Sequence, residues 1–245
     1  MGNKEKTSNK QASNISSEKN AVPFEVVESY KNVRTNLVYI LSKAKKKSVV
    51  FSSSVQAEGK STTTVNVAIA FSQIGDKVLL LDADMRLPSI HKKMKLQNTT
   101  GLSSVLVGSD TFEDAVIHVN ANLDVLCAGP IVQNSLELLC SERVKELISE
   151  LESKYDYVII DTPPIGVVAD SLVLAQNTAG IVLIARDNIT RYDFIEKSIA
   201  QANLVNVNVL GVILNGIDHK NKKYSYRRYK YGYGYNENYG KANKN

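Results

Sequence analysis

The sequence predicts a doubly wound α/β fold on a mostly parallel sheet, with helices on both faces, and three observations carry that prediction. The runs Val49-Val50-Phe51, Val78 to Leu81, Tyr157 to Ile160, Ile181 to Ile184 and Val209 to Leu214 are apolar without alternation, which marks strands buried on both faces. Segments with helical spacing of apolar residues lie between them, as a parallel sheet with crossover helices requires. A glycine-containing loop or an aspartate follows the first three of these runs, and open parallel sheets bind ligands beyond the carboxyl ends of their strands.

Residues 1–22 are rich in Lys, Asn, Ser and Gln and are expected to be disordered, because such a composition cannot build a core. A domain is expected over residues 23–218. Its first element is a helix from Phe24 to Leu41, with Val26, Val27, Tyr30, Val33, Leu37, Ile40 and Leu41 at helical spacing. This helix precedes the first strand and is expected to be free to pack elsewhere. The stretch Ser54 to Thr62, Ser-Val-Gln-Ala-Glu-Gly-Lys-Ser-Thr, follows the first strand and leads into a helix from Thr63 to Ile74, with Val67, Ala70, Phe71 and Ile74 on one face. Strand, tight loop and helix form the context of a phosphate-binding P-loop. Gly59 lets the backbone approach a phosphate, Lys60 brings charge to the β- and γ-phosphates, and Ser61 or Thr62 offers a hydroxyl to magnesium. The helix N-terminus adds free N–H groups from this turn, so Ala57, Glu58, Gly59, Lys60, Ser61 and Thr62 form the candidate nucleotide cradle. The first glycine of the pattern G-x-x-x-x-G-K-S/T is replaced by Ser54.

Leu123 to Leu126 reads as another strand, and Ser135 to Lys154 as one amphipathic helix with Leu136, Leu139, Val144, Leu147, Ile148 and Leu151 on one side. Asp82, Asp84 and Asp161 all follow strand ends and should converge with the P-loop on one crevice. Phosphoryl transfer needs such a set: magnesium takes one hydroxyl and one or two carboxylates while keeping waters, and a carboxylate orients or deprotonates the acceptor. One such Asp alone would more simply cap a helix or form a turn; three beside Gly59-Lys60-Ser61 point to a site.

The chain has 245 residues, a hydrophobic fraction of 43% and a net charge of +5. That charge is uneven. Residues 219–245 hold eight Lys/Arg and one acid, Glu237, leaving the body near neutral, with nothing that asks for nucleic acid. Seven tyrosines, Tyr224, Tyr226, Tyr229, Tyr231, Tyr233, Tyr235 and Tyr239, alternate there with Gly, Lys and Arg, and the lack of apolar periodicity predicts a flexible tail. Taken alone, such a tail could also stack on single-stranded nucleic acid. Cys127 and Cys140 lack metal spacing and are expected to be small core residues. The two cysteines suit a reducing cytosol, and no apolar run approaches the ~20 residues of a membrane span, so any membrane contact is expected through a partner or through basic charge.

Leu79 to Arg86, with Asp82-Ala83-Asp84-Met85-Arg86, resembles the second nucleotide motif of the MinD/ParA-like P-loop ATPases, and Val158 to Pro164 resembles their Walker B strand. Val209 to Asp218 resembles their last strand. Within that group the chain is similar to the bacterial tyrosine kinases of capsule and exopolysaccharide operons. Ala83-Asp84-Met85-Arg86 with Pro88 and His91, the stretch Asp161 to Leu174, Glu137-Leu138-Leu139 and the tyrosine-rich tail carry that likeness, while Leu87 stands where many members have a second arginine. The resemblance implies ATP and magnesium, with Lys60 on phosphate, Ser61 on the metal, and Asp82, Asp84 and Asp161 sharing metal coordination and activation of the tyrosine hydroxyl. It brings Asn215 toward the adenine and makes the tail tyrosines phosphoacceptors for a neighbouring subunit. It further implies a ring-shaped homo-oligomer assembled through Glu28, Lys31 and Arg34, a membrane adaptor that activates the kinase at the inner face of the membrane, and a phosphatase that resets it. Lys31 replaces an arginine of that assembly motif and loses its bidentate fork. The competing readings are a partition-type positioning ATPase, which often carries an extra lysine where Val55 stands, and a nucleotide-gated scaffold without phosphotransfer.

Overall fold

The structure, a computed structural model, describes residues 22–217. The expected disorder of the N-terminal segment up to residue 21, and all seven tail tyrosines, lie outside the described residues. One sheet contains seven strands among those residues: β1 (Ser48–Ser53), β2 (Val78–Asp82), β3 (Ile117–Asn120), β4 (Leu123–Leu126), β5 (Tyr157–Asp161), β6 (Ile181–Arg186) and β7 (Val209–Asn215). Their order is β3-β4-β2-β5-β1-β6-β7, parallel except for β3. The register places Asp161 opposite both Phe51 and Asp82. The carboxyl ends of β1, β2 and β5 therefore meet at one point, which is where the P-loop leaves the sheet.

Burial on both faces explains the unbroken apolar runs of β1, β2, β5 and β6, whereas the run of β7, expected to be buried likewise, forms a sheet edge and is partly exposed. Val50, Leu79, Leu81, Val158 and Ile160 pack on one side with α4 (Leu102–Val107), α7 (Glu142–Lys154) and α8 (Asp170–Ala175). Val49, Phe51, Leu80, Ile159, Val182 and Ile184 pack on the other with α1 (Phe24–Ser42) and α2 (Lys60–Ser72). Phe71 of α2 meets the Tyr157 ring at 4.5 Å between centroids, a contact that adds to plain area burial.

Several expectations are corrected. The front helix is not free: Leu37 and Leu41 are buried against the domain, and Arg34 Nη1 donates to the Ala70 carbonyl near the end of α2 at 3.0 Å. The segment expected as one helix from Ser135 to Lys154 is two, α6 (Ser135–Leu139) and α7, because Ser141 takes an extended backbone and its hydroxyl donates back to the Leu138 carbonyl at 2.7 Å. Cys140 sits at that break and is exposed, whereas Cys127 is buried as expected. The P-loop helix ends at Ser72, leaving Ile74 in the following turn, 53% exposed. β3 pairs antiparallel with β4 at the sheet edge with most of its side chains exposed, so no apolar pattern announces it. Two further short helices, α3 (Ile90–Met94) and α5 (Phe112–Ala115), and the longer α9 (Tyr192–Leu204) complete the domain. No helix among the described residues is long and apolar enough to cross a membrane.

If α1 belongs to this core, Leu41→Ala should lower the unfolding free energy by about 2–5 kcal/mol. Tyr39→Ala on its 64% exposed face should change it by less than about 0.5 kcal/mol; urea unfolding checks both.

Candidate nucleotide site

Beyond β1 the chain turns sharply enough to require left-handed backbone at Ala57 (φ 64°) and Gly59 (φ 87°). A Cβ at Gly59 would also lie 2.0 Å from Asn215 Nδ2, so a side chain there would displace Asn215 from its bond to the Glu58 carbonyl. Ser54, in place of the first glycine, is outside these two left-handed positions. Its buried hydroxyl accepts from Ser198 of α9 at 3.0 Å, so serine here ties the loop down instead of loosening it. Glu58 faces inward: its carboxylate accepts from the Val55 amide at 2.9 Å and from the Thr190 hydroxyl. Arg186 Nη1 donates to the Ala57 carbonyl at 3.2 Å and Asn215 Nδ2 to the Glu58 carbonyl at 3.1 Å. The loop is thus braced from β6, β7 and α9. α2 starts at Lys60, and the N–H groups of its first turn have no intrahelical partner and are oriented for an anion.

Lys60 is the centre of the site. Its ammonium donates to both oxygens of Asp161 at 3.1 and 3.0 Å and to Ser61 Oγ at 3.1 Å, and Asp84 Oδ2 lies 3.8 Å away. Asp161, fully buried, also accepts from Thr64 Oγ1 at 3.0 Å. Asp82 is buried behind this group, and its oxygens accept from the amides of Asp84 at 3.1 Å, Ser89 at 3.2 Å and Ile90 at 3.1 Å. Loss of water, with the neighbouring Asp161 charge, pushes the Asp82 carboxyl up to about 7. Asp84 is raised by burial, with Lys60 opposing; its Oδ1 accepts from the Leu87 amide at 3.0 Å.

A cavity of about 320 Å³ opens above, lined by Ala57, Gly59, Lys60, Ser61, Thr62, Asp84, Arg86 and Lys93 among others. Of the sequence-predicted residues, these six from Ala57 to Asp84 meet at the cavity. Asp161 lies beneath it through Lys60, Asp82 is buried behind it, Glu58 braces the loop, and Asn215 packs behind Gly59. Glu28 and Lys31 pair with each other on α1 at 2.8 Å. The sequence reading gave no role to Thr64, Lys93 or Asp170. Lys93 Nζ donates to Thr62 Oγ1 at 2.9 Å, and Asp170 at the start of α8 holds Arg86. Only the Asp161 to Leu174 likeness hinted at Asp170.

Among the described residues no three His, Cys, Asp or Glu side chains converge to hold a metal. Magnesium beside a nucleotide does not need such a cage, because it keeps waters and phosphate oxygens and takes one or two carboxylates. The oxygens of Ser61 and Asp161 already converge on a cation, the Lys60 ammonium, so their hard-oxygen chemistry fits the ion.

A glycine-braced loop, a buried lysine and strand-end carboxylates on a parallel sheet define a P-loop NTPase. The ParA family, described as NUBPL iron-transfer P-loop NTPase, matches residues 43–244. The tyrosine-protein kinase YwqD of Bacillus subtilis (strain 168) is 42% identical over 201 residues, covering 81% of this chain and 85% of that protein. The tyrosine-protein kinase homologue CapB of Staphylococcus aureus is 32% identical over 203 residues, covering 82% and 89%. The kinase domain of the Escherichia coli tyrosine kinase ETK superposes with a TM-score of 0.76 at 28% identity over 82% of each chain. The chain belongs to the ParA-like P-loop NTPases and, within them, to the bacterial tyrosine kinases.

The Asp82 environment has a measurable consequence. Its native carboxyl titrates near 7 against an ordinary 3.8, so the folded state holds a proton that the unfolded chain releases. The stability this gives is full below about pH 4 and is lost as pH rises through about 7. Urea unfolding without nucleotide should show that loss between about pH 4 and 8, and Asp82→Asn should flatten it.

Proposed function

We propose that this chain is an ATP-dependent protein-tyrosine autokinase that phosphorylates the tail tyrosines of a neighbouring copy and regulates capsular or exopolysaccharide polymerisation and export. The observation that carries the reading is the buried Lys60, held between Asp161 and Asp84 on the floor of the cavity. Triphosphate oxygens over the first turn of α2 would draw the Lys60 ammonium away from Asp161. Ser61 and Asp161, with Asp84 and Asp82 nearby, would hold magnesium, which supplies charge neutralisation at the β- and γ-phosphates. Asp84 is the better base of the Asp82–Asp84 pair, because it lines the cavity while Asp82 is sealed by three amides. In the step, the tyrosine oxygen bonds to the γ-phosphorus as the bond to the β-phosphate bridging oxygen breaks. ADP leaves with that electron pair, and the phenolic proton passes to Asp84.

The tail fits the acceptor role. Its sequence carries about +7, a charge that suits the carboxylates around a neighbour's cavity. Each phosphotyrosine adds about −1.5 to −2 at pH 7, so four bring the tail to roughly neutral. A ring held through Glu28, Lys31 and Arg34 should then loosen. Because Arg34 already binds Ala70 O and Lys31 already pairs with Glu28, assembly would exchange these contacts for ones with a neighbour. A membrane adaptor that completes the site would localise the kinase to the inner face of the membrane and stimulate it, and a phosphotyrosine phosphatase would reset it. The ParA-wide family match supports a second reading, a positioning ATPase; it predicts ATP turnover without phosphotyrosine.

Incubation with ATP and magnesium should give phosphotyrosine, lost on the order of 100-fold or more in Lys60→Met. That substitution also strands the buried Asp161 charge at a cost of about 3–5 kcal/mol, so circular dichroism must show it folded. Near-normal phosphotyrosine in folded Lys60→Met sinks the reading. In light scattering, phosphorylation should shrink the particles of the natural chain, while a variant with all seven tail tyrosines changed to Phe keeps its size.

A further inference from the structure

Arg86 and Asp170 form a pair that the roles above leave unused. Asp170 is fully buried at the start of α8, where Ser135 Oγ donates to it at 3.4 Å. Arg86 grips it with two N–H groups: Nε to Oδ2 at 3.1 Å and Nη2 to Oδ1 at 3.3 Å. The Arg86 side chain is itself 40% exposed and lines the cavity. A pair serving the core alone gains little from burying one carboxylate under an arginine left open to solvent. The arrangement suits an arginine that must be aimed.

We infer that Arg86 is a catalytic residue that binds the transferring phosphoryl group, and that Asp170 is the positioning residue that aims it; this rests on the kinase reading above. A guanidinium has five N–H donors. Asp170 takes the Nε–H and one Nη2–H, leaving the Nη1 pair and one Nη2–H for a ligand in the cavity. Those remaining donors form the edge that matches two oxygens of a phosphoryl group. Arg86 is two residues from Asp84 on the same loop after β2, so base and guanidinium share one mount. The orientation of the cavity's cations also favours it. Three cations line the cavity, Lys60, Arg86 and Lys93. Lys60 is shared by Asp161 and Asp84, and Lys93 is tied to Thr62. Lys93 keeps its charge and two N–H groups, but Arg86 is the cavity cation whose free edge is held in a fixed direction by a buried carboxylate, where charge builds on the equatorial oxygens.

The test uses the full chain and four variants: Arg86→Ala, Arg86→Lys, Asp170→Asn, and Arg86→Ala combined with Asp170→Asn. Phosphotyrosine formation is measured at saturating ATP and magnesium, together with the KM for ATP and the affinity for a fluorescent ADP derivative. Arg86→Ala should lose on the order of 100- to 1,000-fold in rate, with KM and ADP affinity within about threefold of the natural chain. Arg86→Lys should recover little, since an ammonium lacks the fork. Asp170→Asn should lose on the order of 10-fold or more by leaving Arg86 unaimed. Added guanidinium ion should restore part of the rate to Arg86→Ala and nothing to Lys60→Met. If Arg86→Ala does not fold because Asp170 is left unpaired, the double variant, with no stranded charge, gives the same readings. The assignment is overturned by a rate within about threefold of the natural chain, by a loss that appears equally in ADP affinity, or by no response to guanidinium. A natural chain that binds ADP but forms no phosphotyrosine rejects the kinase reading itself.

Discussion

An ammonium group held against a fully buried carboxylate, Lys60 on Asp161 at 3.0 Å, is the contact on which the site depends. Two charges taken out of water are costly, and each is tolerable only while the other is present and the remaining lone pairs are filled. Here Thr64 donates to Asp161, and Ser61 accepts from the Lys60 ammonium. The pair joins two neighbouring strand ends: Lys60 opens α2 after β1, and Asp161 ends β5. It therefore fixes the P-loop over the strand ends before any ligand arrives. The same pair gives the site a way to respond, because a polyanion that attracts Lys60 frees Asp161, and the freed carboxylate must then take another cation.

Around this contact the loop is held by groups from well separated parts of the chain. Ser198, Thr190, Arg186 and Asn215 all brace it from the β6, β7 and α9 side. On the opposite side the second carboxylate loop is closed by Asp82, which gathers three amides, and by Arg86 on Asp170. Such bracing suits phosphoryl transfer, where catalysis comes mostly from fixed charge and position.

Much of this was legible in the sequence. Continuous apolar runs gave β1, β2, β5 and β6, since burial on both faces leaves no alternation. A similar run gave β7, but that strand lies at the sheet edge with Val212 and Leu214 nearly half exposed. Asp82 and Asp161 close their strands, while Asp84 follows. The readings that failed did so where local signals are weak. The edge strand β3 is mostly exposed and carries no pattern. The break at Cys140-Ser141 is made by one hydroxyl inside an otherwise helical apolar spacing. The docking of α1 through Arg34 and Leu41 is a tertiary event, as helix periodicity shows which face is apolar but not what covers it. Side-chain direction was also out of reach: Asp82 and Asp84 look alike in sequence, yet one is sealed by amides and the other opens on the cavity. Asp170 matters only because folding brings α8 against the loop that carries Arg86.

The dependence on the central ion pair can be measured directly by a double-mutant cycle on unfolding free energy, using Lys60→Met, Asp161→Asn and the two combined. Each single change strands one buried partner, while the double variant removes both charges. The account predicts that the double variant loses less than the sum of the singles, with a coupling of about 1–3 kcal/mol between the two positions. Losses that add to within about 0.5 kcal/mol would contradict it, because the pair would then be a bystander in a site held together by other contacts.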